Sequence, residues 1–122
     1  MPDYPRRRLP QHFLPLSVPV FQILLALADR HLHGYAIIQD IRQRTGGEVL
    51  LTASTLYAAI KRLLEGGLIE ELERRPAPED DDSRRRYYGI TPLGLEVARL
   101  ETARLQRAVT MARQKRLAPK VV

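Results

Sequence analysis

The chain has 122 residues, 20 Lys and Arg against 14 Asp and Glu, a formal net charge of +6, and no cysteine. A length of this order fits one domain with an appended helix. Without thiols, disulfides and thiolate metal sites are excluded. His12, His31 and His33 have no carboxylates in register, so no metal site is expected. No stretch reaches the about 20 apolar residues that span a bilayer. The basic balance favours an anionic partner, most often nucleic acid, although a merely basic protein would share it.

The first ten residues hold three prolines and three arginines without periodicity, and a flexible basic arm is expected over 1–15. The apolar segment at 15–28 is broken by Ser17, Pro19 and Gln22 and closed by Asp29 and Arg30. No small-residue cleavage site follows it, so a secretory signal is not read and a cytoplasmic protein is expected. Ser17 can cap a first helix with Pro19 in its first turn, burying Val20, Ile23, Leu24 and Leu27. His31-Leu32-His33-Gly34 reads as a turn. A second helix over 34–45 turns Tyr35, Ile37, Ile38 and Ile41 inward and its polar residues out, and Gly46-Gly47 ends it.

Thr52 is the expected cap of a third helix, which Gly66-Gly67 stops. Leu56, Ile60 and Leu63 form its apolar edge, with Ala59 and Leu64 on the shoulders. The opposite arc carries Ser54, Ala58 and Lys61, bordered by Tyr57 and Arg62. Two small side chains permit close approach, while a phenol and cations can reach phosphate oxygens.

A strand over 68–74, a polar turn over 76–83 and a returning strand over 86–91 make a hairpin, with Tyr88 and Ile90 on one face. Strand alternation sends Arg84 and Arg86 to one side and Arg85 to the other, so at least one side should meet phosphate. Thr91 caps a last helix, Pro92 occupies its first position, and the helix is expected to run to about Arg116. Its apolar arc is wide enough to need two neighbours. Val97, Leu100, Leu105 and Val109 are therefore expected to face a second copy of the chain. The fold class that emerges is mostly α with a small antiparallel β-wing. A winged helix-turn-helix over 16–91 is followed by a C-terminal dimerisation helix over 92–117 and a disordered tail over 118–122.

Three segments resemble the PadR family of bacterial transcriptional regulators. They are Leu32-His33-Gly34-Tyr35-Ala36-Ile37-Ile38, then Ser54-Thr55-Leu56-Tyr57-Ala58-Ala59-Ile60-Lys61-Arg62-Leu63 with Gly66-Gly67-Leu68-Ile69, then Arg86-Tyr87-Tyr88-Gly89-Ile90-Thr91-Pro92-Leu93-Gly94. All three stand in the family's order and cover roughly residues 17 to 95. The resemblance implies a homodimer that binds double-stranded operator DNA, usually as a repressor. Its third helix would enter the major groove, its wing would touch backbone or minor groove, and its last helix would exchange between protomers. It also implies that a small-molecule effector, often phenolic or drug-like, releases the DNA. Any effector pocket is expected between the last helices and the first helix. The chain departs from the family in Ala58, where proline or arginine is frequent, and in an acidic wing tip at 79–82. It also has no tryptophan, and it resembles the short branch of the family, in which no long C-terminal domain is expected.

The residues expected to touch DNA are Ser54, Thr55, Tyr57, Lys61, Arg62, Arg84, Arg85 and Arg86. Ser54 and Thr55 could instead cap their helix, Tyr57 could pack on the first helix, Arg62 could pair with Glu65, and Arg6 to Arg8 could trail as a solvated arm. Gly34 is read as giving tight entry to the second helix, Tyr35 as core, and His33 as bonding a nearby backbone group. Only Lys61 and Arg62 could engage guanine bidentately, so dimer spacing and DNA shape should carry much of the selection. An alternative is a winged-helix module for protein contacts, which the acidic tip would suit. An enzyme is not expected: paired carboxylates, a phosphate-cradling glycine loop and a nucleophile–histidine arrangement are all missing. No cofactor is expected.

Overall fold

A computed structural model describes residues 9–72, 86–117 and 119. The arginines at 6–8, Arg84, Arg85 and the acidic tip at 79–82 lie outside the described residues. A 3-10 turn at Pro10–Phe13 leads into α1 (Val18–Leu27), β1 (Leu32–His33), α2 (Gly34–Arg44) and α3 (Ala53–Glu65). Then come β2 (Ile69–Glu71), β3 (Tyr87–Ile90) and α4 (Pro92–Gln114).

Local chemistry sets the helix starts. Ser17 accepts the Val20 N–H at 3.4 Å, Thr52 the Thr55 N–H at 3.1 Å, and Thr91 the Gly94 N–H at 3.0 Å. Each such cap typically stabilises a helix by about 1 kcal/mol. At α2 the cap is an imidazole: His33 Nδ1 accepts the Ala36 N–H at 3.3 Å. At the other end, Gly46 and Gly47 take φ of +61° and +84°, which only glycine adopts freely.

The helices bury one face each around a single core. Ile23, Leu24 and Leu27 of α1 meet Ile37 and Ile41 of α2, Leu56 and Leu63 of α3, and Val97 of α4. Leu68, Ile69 and Tyr88 close it from the sheet side. Burial of each such side chain contributes about 1.5–3 kcal/mol.

Four expectations are corrected. The segment read as a turn at 31–34 contains β1, which pairs antiparallel with β3 (Leu32 with Tyr88, His33 with Tyr87), so the sheet has three strands in the order β1-β3-β2. Two extended residues between helices are too few for a period-two signal, yet they satisfy the free edge of β3. Tyr35 is not core: it is 63% exposed. It stands two positions before Ile37, about 200° around the helix, which takes it out of the Ile37–Ile41 stripe. Val97 has no exposed surface left for a second chain, because the protomer's own core encloses it. Finally, α4 ends at Gln114, where Lys115 takes the C-cap and Arg116 turns left-handed at φ 61°.

The base of α4 is pinned to the α3–β2 junction. The Thr91 hydroxyl donates to the Gly67 carbonyl at 2.6 Å, and the Thr91 N–H to the Leu68 carbonyl at 3.1 Å. A Cβ at Gly94 would overlap that same Leu68 carbonyl oxygen. The helix buries Gly94, Val97, Ala98 and Glu101, then leaves the body of the protomer. Beyond that point Leu105, Val109 and Met111 are exposed.

Candidate nucleic-acid interface

With Leu56, Ala59, Ile60 and Leu63 buried, α3 presents its opposite side to solvent. Ser54, Ala58, Lys61 and Glu65 recur along that side at intervals of four and three and are all exposed. The cap of α3 is Thr52, so Ser54 and Thr55 are not needed for it. The Thr52 hydroxyl donates to Thr55 Oγ1 at 3.0 Å and lies 3.3 Å from Ser54 Oγ. The result is an exposed cluster of three hydroxyls at the positive end of the helix dipole, where anions are favoured.

Tyr57 borders the arc on one side and is half exposed. Its ring lies across Gly34, so closely that a Cβ there would overlap the hydroxyl. Gly34 does not have a positive φ, so the role of this glycine is room for a neighbour and not backbone freedom. Arg62 borders the other side near the C-terminal end of α3. Among the described residues it forms no ion pair with Glu65. Instead it lines an open cavity of about 870 Å³, together with Phe13, Leu16, Val20, Leu63 and Leu93. That cavity is bounded by the segment before α1, α1 itself, the end of α3 and the start of α4.

On the wing, Arg86 pairs with Glu71 at 3.4 Å, and both side chains are exposed. Such a pair is worth about 0–1 kcal/mol, so the guanidinium can exchange it for a phosphate at small cost. Burial pushes the Tyr88 phenol above its ordinary value, the nearby Glu71 and Tyr57 add to the rise, and Arg86 opposes it. Tyr88, its strand partner Glu71 and the Arg86 that pairs with Glu71 stand together on the wing.

Three surface residues escaped the sequence reading. Tyr35 and Leu50 are 63% and 66% exposed, at the start of α2 and in the turn between α2 and α3. Glu65 brings a carboxylate onto the exposed arc of α3. A strict helical wheel would have found Tyr35 and Glu65; Leu50 sits in a turn without periodicity. Among the described residues no three His, Cys, Asp or Glu side chains gather as a metal site, and no helix is long and apolar enough to cross a membrane.

Three helices capped by a three-stranded antiparallel sheet, with α2 and α3 joined by a glycine-bearing turn, define a winged helix-turn-helix. Comparison with known proteins agrees. The family model described as the transcriptional regulator PadR-like family matches residues 23–100. An uncharacterised protein X from Lysinibacillus sphaericus is 35% identical over 72 residues, 59% of this chain and 63% of its own. The chain thus spans less than two thirds of the length of the curated relatives it matches. A PadR family transcription regulator from Clostridium difficile superposes with a TM-score of 0.68 at 24% identity, covering 80% of this chain and 97% of that one. The structure of Bacillus subtilis PadR in complex with operator DNA gives a TM-score of 0.56 at 22% identity, over 70% of this chain and 46% of that one. This chain belongs to the PadR-like family, whose members are transcriptional regulators and not enzymes.

Proposed function

We propose that this chain is a cytoplasmic repressor that binds a pseudo-palindromic operator as a homodimer, with α3 in the major groove. The observation that carries the reading is the outward arc of α3. Ser54, Ala58 and Lys61 stand free of the core with Tyr57 at their edge, on a chain of net charge +6. Hydroxyls, a phenol and an ammonium are the groups that hold phosphates and set register, and the small Ser54 and Ala58 admit base edges. Thr55, Arg62 and Arg86 extend the contact at the two ends of the arc and on the wing, with Arg84 and Arg85 expected to add to it.

The exposed Leu105, Val109 and Met111 support the dimer, together with the partly buried Leu100. An apolar stripe that leaves its own domain is stabilised by covering it, and a second copy of α4 supplies the complementary stripe. In such a dimer the two α3 helices would stand about 34–36 Å apart, one turn of DNA. A small-molecule effector would act by preferring one angle between protomers over another. The cavity beside Arg62 adjoins both α3 and the base of α4, where such a preference would be felt.

The test is a gel shift on the gene's own promoter fragment across a salt series. Affinity should fall steeply as salt rises, by counterion release. Salt-insensitive binding, or none, would favour a module for protein contacts.

A further inference from the structure

Tyr57 is half exposed, but its phenol is held on one side. An ideal Cβ at Gly34 would overlap the Tyr57 hydroxyl, would stand 2.9 Å from its Cζ and 3.3 Å from Leu56 Cδ2. The two distances to Tyr57 are shorter than carbon contacts tolerate and the one to Leu56 is tight, so the ring occupies the volume in which a side chain at 34 would begin. Gly34 opens α2 without a positive φ, a conformation any residue adopts. Glycine brings only flexibility to such a position, and the benefit that offsets it is the space. Tyr57 of α3 therefore bears on the start of α2.

We infer that Gly34 is a positioning residue for DNA binding: its missing side chain lets the Tyr57 phenol lie down across the start of α2, at the border of the exposed arc of α3. A methyl group at 34 would push the ring outward and take the hydroxyl from the place where it meets a phosphate. The inference rests on the reading of α3 as the DNA-facing helix.

A double-mutant cycle with Gly34→Ala and Tyr57→Ala tests it, with affinity for the promoter fragment, its salt slope and the melting temperature measured for all four proteins. Gly34→Ala is expected to weaken binding about tenfold beside Tyr57 and less than about twofold beside the alanine, since only contacting residues couple. The salt slope should stay at the wild-type value in both backgrounds, because a neutral phenol releases no counterion and only a lost cation contact would lower it. Equal losses in both backgrounds, or no loss in either, overturn the inference. If Gly34→Ala alone fails to fold, a double variant that folds and melts with the Tyr57→Ala protein supports it, and one that also fails overturns it. Wild-type protein that binds no fragment overturns the DNA reading and the inference together. Intact wild-type binding with additive losses overturns the inference alone.

Discussion

Glu101 sits where a helix face should be apolar, following Gly94, Val97 and Ala98 along the buried side of α4, and it is 2% exposed. A charge in that place is costly unless each lone pair is met. Arg104 meets it with Nε and Nη2 at 2.5 and 3.0 Å, and the Leu16 N–H donates to Oε2 at 3.1 Å. The Arg104 guanidinium holds the carboxyl below the usual carboxylate range, burial works against it, and the Leu16 amide helps. The group clasps the segment before α1 to the point where α4 leaves the domain. Glu101→Ala should cost about 1–3 kcal/mol through the orphaned Leu16 amide alone, as read by urea unfolding. Because the folded pKa is depressed, its stabilisation is fully present above the unfolded value near 4.5 and is lost as pH falls through the folded one. The stability gap between wild type and Glu101→Gln should therefore close in acid; a gap unchanged from neutral to acid pH would contradict the assignment. This residue was legible in principle. A carboxylate interrupting an apolar stripe, with Arg three positions on, is a pattern that periodicity exposes when polar interruptions are sought as well as apolar matches.

The joints between elements explain which parts of the fold could be read without coordinates. Ser17, Thr52 and Thr91 cap where their hydroxyls precede apolar periodicity, because capping is a local interaction among residues three apart. The aromatic ring of Tyr35 suggests core, but its angle on the helix sets it outside the Ile37–Ile41 stripe. β1 is set by its partner strand, a non-local cause that two residues cannot advertise. Gly94 is similar: its need for glycine comes from the Leu68 carbonyl of a distant segment. Since a backbone atom cannot rotate away, Gly94→Ala should destabilise the protein by about 1–3 kcal/mol, the usual range for overpacking, measured as a lowered denaturation midpoint. A midpoint equal to wild type would show that α4 shifts freely on the β2 junction.

At the scale of the whole molecule, one chain encloses a single core and leaves the far turns of α4 uncovered. Val97 lies within its own core, whereas Leu105 and Val109 are 38% and 41% exposed on the projecting turns of α4. A wide apolar arc was readable in the sequence; which of its residues serve the core and which a partner depends on where the helix leaves the domain, and only the fold sets that point. Leu105→Asp with Val109→Asp should yield a folded monomer of 14.0 kDa by sedimentation and weaken operator binding sharply, because one recognition helix alone loses the second half-site. A dimer that survives both changes would place the interface elsewhere.

Anisotropy titration of the promoter fragment at several salt concentrations tests whether the exposed arc of α3 reads DNA. Wild type, Lys61→Ala and Tyr57→Phe are compared at matched melting temperature. Both variants should bind more weakly than wild type, and Lys61→Ala should lower the salt slope by about one phosphate contact. Affinities and slopes indistinguishable from wild type would show that α3 does not face DNA.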